Sequence, residues 1–65
     1  TKKSFSQFLN EIRIRNACKL LIEGKLQIAT VCYQSGFNTL TNFNRQFKKM
    51  ELMTPQQFKA SINKS

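Results

Sequence analysis

At 65 residues the chain is one small domain or part of one, and a single core of that size is marginal unless its helices pack well. Eleven Lys and Arg against three acidic residues give a net charge of +8, which favours an anionic partner, either nucleic acid or a membrane surface. With no histidine, no aspartate, two cysteines and no phosphate-binding glycine loop, the composition argues against a metal site, a cofactor, a disulfide framework and an enzyme. No apolar run approaches the roughly 18 residues of a membrane span, and no signal peptide opens the chain. The expectation is a soluble, cytoplasmic protein with Cys18 and Cys32 as small buried residues.

Ser4 and Gln7 fit a capping box, in which each side chain satisfies an exposed backbone donor of the other at a helix start. From Phe5 to about Glu23 there is no proline or glycine. Phe5, Phe8, Leu9, Ile12, Ala17, Cys18, Leu20 and Leu21 recur at helical spacing, so this stretch is predicted to be one long helix. Gly24 stops it by accepting the left-handed backbone of a helix C-terminus. Arg13, Arg15 and Lys19 fall mostly off the apolar stripe and read as a solvated face.

A second, shorter helix is predicted over 26–35. Gln27 is a weak cap, but Leu26 and Val31 are spaced to form a hydrophobic staple around it. Ile28, Val31 and Cys32 make the inner face, and Ala29 is small enough for a neighbouring helix to approach. Gly36 breaks the chain, and Phe37 is a natural plug between this helix and the next. Two short helices joined by a tight glycine turn make a helix-turn-helix arrangement.

Thr39 can cap a third helix that runs from Leu40 to about Met50. A turn of about 100° per residue puts Phe43, Phe47 and Met50 on one side, with Leu40 at the edge. Arg45 falls opposite, flanked by Thr41 and Lys49; Asn42 and Lys48 lie a little further round, and Asn44 is at a border. No acidic residue occurs between Gly36 and Lys49. An ordinary surface helix would mix in Glu or Asp, so this polar face points to nucleic acid. Thr54-Pro55-Gln56-Gln57 then starts a fourth helix, with Thr54 as cap, Pro55 in the first helical position and Gln57 closing a second capping box. Phe58 and Ile62 are its apolar contacts, and Asn63-Lys64-Ser65 should fray. Ser4-Phe5-Ser6-Gln7-Phe8 and Thr54-Pro55-Gln56-Gln57-Phe58 share their capping box and following aromatic, a faint internal repeat. The fold class is all-α.

Four segments in this order carry a family resemblance: SFSQFLNEIRIRNACKLL (4–21), LQIATVCYQSGF (26–37), NFNRQFKK (42–49) and TPQQF (54–58). Together they resemble the DNA-binding domain of the AraC/XylS family of bacterial transcription regulators. The resemblance implies two homeodomain-like helix-turn-helix units joined by a linker helix. Residues 1–65 would be a single partial domain: 5–23 the linker helix, 27–50 the second helix-turn-helix and 55–62 a short closing helix. The first helix-turn-helix would precede Thr1, and no small-molecule site is implied in this part.

Carried over by position, the resemblance puts base contacts on Leu40, Thr41, Asn42, Asn44 and Arg45. Thr39 and Lys48 fall at phosphate positions, and Lys49 joins them by its charge. Arg45 suits bidentate bonding to guanine, Asn42 and Asn44 suit adenine, and Thr41 or Leu40 suits a thymine methyl. Cys32 stands where the family usually has alanine. Leu52 and Lys2 stand where glycine usually ends each recognition helix, so the turn after Met50 is open to another geometry. The implied function is sequence-specific binding of double-stranded DNA in a transcription activator. The alternative is a basic helical protein-interaction module, for example one that touches RNA polymerase. RNA binding fits less well, because the aromatics sit at core spacing.

Overall fold

The computed structural model describes residues 4–62; Lys2 and the terminal Asn63-Lys64-Ser65 lie outside the described residues. The described residues form four helices, α1 (Phe5–Glu23), α2 (Ile28–Gln34), α3 (Leu40–Glu51) and α4 (Pro55–Ile62), and no strand. Local chemistry accounts for most of the boundaries. Ser4 and Gln7 close a capping box, with Ser4 N donating to Gln7 Oε1 at 3.0 Å and Gln7 N to Ser4 Oγ at 3.1 Å. Thr54 and Gln57 repeat it before α4 at 3.0 and 3.1 Å. Gly24 ends α1 at φ 72°, its N–H bonded to the Leu20 carbonyl. Gln27 caps α2 by backbone geometry alone, with no side-chain hydrogen bond.

The α2–α3 corner is a Schellman turn. Gly36, at φ 106°, donates to the Tyr33 carbonyl at 3.2 Å, and Phe37 donates to the Cys32 carbonyl at 3.1 Å. These bonds satisfy carbonyls that the last turn of α2 would otherwise leave bare, and the left-handed backbone they require suits glycine. Phe37 then turns inward and is buried.

One core joins all four helices. Ile14, Ala17 and Leu21 of α1 meet Val31 and Cys32 of α2, Phe37 of the corner, and Phe43 and Phe47 of α3. Phe58 and Ile62 of α4 pack against this cluster. The aromatics form a ladder of tilted and edge contacts: Phe37–Phe43 at 5.3 Å, Phe43–Phe47 at 5.7 Å and Phe47–Phe58 at 5.5 Å. The Cys32 thiol fits the core fully and donates to the Thr39 carbonyl at 3.5 Å, a weak link from α2 to the start of α3.

Three details differ from the sequence reading. The apolar stripe of α1 is used only in its second half, because Phe5 is 77%, Phe8 54% and Ile12 38% exposed. Ile14, outside that stripe, is buried instead. Arg13, read as solvated, is half-buried beside the α2–α3 corner. The turn after α3 keeps left-handed geometry despite its residue: Leu52 sits at φ 64°, with its N–H bonded to the Lys48 carbonyl at 2.9 Å. That sharp reversal lets the chain re-enter at Pro55, which is fully buried.

Candidate nucleic-acid interface

Helix α3 is held from one side and offered on the other. Phe43 and Phe47 are fully buried, and Gln46 and Met50 are half-buried. Thr41, Asn44, Arg45, Lys48 and Lys49 are exposed. The positive end of the interface is also the C-terminal turn of the helix, where Lys48 and Lys49 complement the helix dipole. Cations can therefore gather here at little cost to the helix itself.

The start of α3 is fixed by Thr39, whose Oγ1 accepts from Asn42 N at 3.2 Å. The backbone N–H groups of Leu40 and Thr41 lie in the first turn, where the helix itself offers them no carbonyl. Thr39 itself is exposed. Asn42 and Asn44 flank the buried Phe43 on opposite sides and differ in access: Asn44 is exposed and Asn42 half-buried. Asn42, Gln46 and Met50 share a line along one margin of the buried face.

On the other margin, Leu40 and Asn44 line an open cleft of about 520 Å³ with Gln27, Ile28, Ala29, Thr54 and Gln56. Gln27 precedes α2, and Thr54 and Gln56 flank the first residue of α4. The cleft thus brings the starts of two other helices beside the first turns of α3. Sequence reasoning used Gln27 and Thr54 only as caps and Gln56 not at all. Their approach to α3 comes from how α2 and α4 pack, which no local pattern in the chain announces.

The chemistry available is that of polar recognition. Among the described residues, no group of three or more His, Cys, Asp or Glu side chains is arranged to hold a metal ion. Cys32 is buried, and Cys18 is half-buried beside Glu51, away from the exposed face of α3. No helix among the described residues is long and apolar enough to cross a membrane.

A helix-turn-helix domain family matches residues 1–61. The chain is 36% identical over 53 residues to a histidine kinase P4 of Formosa agariphila, covering 82% of this chain and 4% of that protein. It is 32% identical over 54 residues to the TCP pilus virulence regulatory protein of Vibrio cholerae serotype O1, covering 83% of this chain and 20% of that protein. It is 35% identical over 51 residues to the HTH-type transcriptional regulator GlxA of Rhizobium meliloti, covering 78% and 16%. The chain therefore spans between 4% and 20% of the length of these curated relatives. No solved structure matches it. With four helices among the described residues, a glycine corner ahead of an acid-poor third helix, and a family match over nearly the whole chain, the protein belongs to the AraC-type helix-turn-helix family of DNA-binding domains.

Proposed function

We propose that this domain reads double-stranded DNA by sequence, with α3 in the major groove, as the DNA-binding part of a bacterial transcription activator. The observation that carries the reading is the outer face of α3. Thr41, Asn44, Arg45, Lys48 and Lys49 are exposed together without an acidic neighbour before Glu51, on a helix anchored by Phe43 and Phe47. Two relatives, named a virulence regulatory protein in Vibrio cholerae and a transcriptional regulator in Rhizobium meliloti, support the regulatory setting.

In this reading Arg45 pairs with guanine through two parallel hydrogen bonds, and Asn42 and Asn44 read adenine. Thr41 and Leu40 meet thymine methyls. Lys48, Lys49 and the Thr39 hydroxyl hold phosphates and set the register. In the same reading Gln27 and Gln56, which line the cleft with Asn44, touch the flanking backbone. Helix α1 is the linker to an upstream twin of this unit, and the exposed Phe5, Phe8 and Ile12 are the seat such a twin would cover.

Selection of preferred sites from random duplexes tests the proposal. The chain should enrich one short motif the width of a single major groove. A chain extended upstream should enrich two motifs about one helical turn apart. Arg45→Ala should cost about 1–3 kcal/mol on the preferred site and relax one base position. Lys48→Ala should weaken all duplexes alike and reduce the salt slope by about 0.9. Salt-insensitive behaviour with no preference among duplexes would favour a protein-interaction module that contacts RNA polymerase instead.

A further inference from the structure

We propose that Arg13, on the linker helix and remote in sequence from α3, is a positioning residue for DNA recognition that acts through the α2–α3 corner. The inference rests on α3 being the DNA-reading element.

Three observations meet at this side chain. The Arg13 guanidinium carbon lies 5.9 Å from the centroid of the Phe37 ring, within cation–π range. Its stem lies against Gly36: a Cβ built there would be 3.1 Å from Arg13 Nε and 3.5 Å from its Cγ and Cδ. Phe37 in turn packs on Phe43 at 5.3 Å, and Phe43 sits on α3 between Asn42 and Asn44. Arg13 therefore begins a chain of direct contacts that ends beneath the first two turns of the reading helix.

Each link has a physical consequence. Gly36 suits its φ of 106°, which disfavours any side chain, and a Cβ there would also press on Arg13, which would have to shift by a few tenths of an ångström. The guanidinium over Phe37 links the corner to α1, and the same ring packs on Phe43. The contact with the ring holds the guanidinium over Phe37. Lysine would keep the charge but lose the flat stacking surface. An α3 whose corner is loosened can still touch phosphates, but it loses the register that base reading demands.

The test uses Arg13→Met, Arg13→Lys and Phe37→Leu in the full chain, with affinity measured on the selected duplex and on a scrambled one over a range of salt. Arg13→Met keeps the stem's packing and should weaken the selected duplex about 3- to 10-fold, in line with the loss of one cation–π contact. The scrambled duplex should be nearly unaffected, and the salt slope should stay within error of the unmodified chain. Arg13→Lys should recover part of the loss. On a Phe37→Leu background Arg13→Met should cost little, since the two act as one unit. Amide exchange over 36–44, measured without DNA, should speed up in Arg13→Met while the global melting temperature changes little.

An equal loss on both duplexes with a salt slope shallower by about 0.9 would make Arg13 a direct phosphate contact and overturn the proposal. Unchanged affinity and unchanged exchange would overturn it as well. A failure of the unmodified chain to prefer any duplex would refute the DNA-reading assignment, a result separable from the exchange measurement on Arg13.

Discussion

Helices α1 and α3 both feed the core, but they spread their apolar side chains in opposite ways. On α3 the buried Phe43 and Phe47 face one way, and exposed Thr41, Arg45, Lys48 and Lys49 face the other. On α1 apolar residues run right round the helix. Ile14, Ala17 and Leu21 are buried, whereas Phe5, Phe8, Ile12 and Ile22 lie open to solvent. A one-sided helix has all the partners it needs in this unit. A helix greasy all round carries a second surface, and its polar residues have to find places between the two. Apolar periodicity therefore measures what a helix could bury, and packing decides which part it does bury.

The sharpest way to break this comparison is to truncate one aromatic on each helix. Phe43→Ala removes a fully buried ring at the centre of the aromatic ladder, and should cost about 3–5 kcal/mol, most of the stability of a domain this small. Phe5→Ala in the same chain should change stability by no more than about 0.5 kcal/mol. Urea unfolding of the two variants decides it; comparable losses would mean that the first half of α1 belongs to this core after all.

A smaller effect, of opposite sign, is expected where α3 ends. Leu52 is 84% exposed yet holds a left-handed backbone at φ 64°. Left-handed backbone costs a side-chain-bearing residue about 1–2 kcal/mol, part of which glycine gives back as unfolded-state entropy. Leu52→Gly should therefore stabilise the chain by up to about 1 kcal/mol, read as a raised urea midpoint. A lowered midpoint would show that the exposed Leu52 side chain makes contacts that outweigh the strain.

An effect confined to alkaline pH probes the join between the two helices. Burial, and then the neighbouring Glu51 carboxylate through its charge and a hydrogen bond, pushes the Cys18 thiol from 9.0 up to about 11. Burial also pushes Cys32 up. A raised folded-state value favours the fold while the thiol is protonated. The contribution of Cys18 is thus fully present below about pH 9 and is lost as pH rises through about 11. The melting temperature should fall more steeply across that window in the unmodified chain than in Cys18→Ala. Parallel curves would show that Cys18 ionises equally easily in both states.

Much of this molecule can be read without its structure, for reasons that are local. A capping box needs residues three apart, and both of them, at Ser4–Gln7 and Thr54–Gln57, form as paired hydrogen bonds. Gly24 and Gly36 mark helix ends because their left-handed backbone is a property of the residue itself. The polar outer face of α3 follows from spacing alone, once Phe43 and Phe47 are taken as its inner face. The all-α class follows from the same short-range rules.

Other features depend on what lies across the fold. The inward side of α1 is misread from its own residues, since apolar side chains point in every direction and the stripe through Phe5, Phe8 and Ile12 is not the one buried; docking of α2 and α3 selected Ile14 over Ile12. Arg13 looks like any exposed cation until the α2–α3 corner brings Gly36 and Phe37 beneath it. Leu52 accepts a backbone that its side chain disfavours, because the chain must reverse there to bury Pro55. The sequence by itself determined where helices begin and end and which face of α3 is polar, through bonds and rotations spanning a few residues. Only the tertiary structure decided which apolar surface is buried and which cation supports the corner, because those outcomes depend on contacts between residues far apart in the chain.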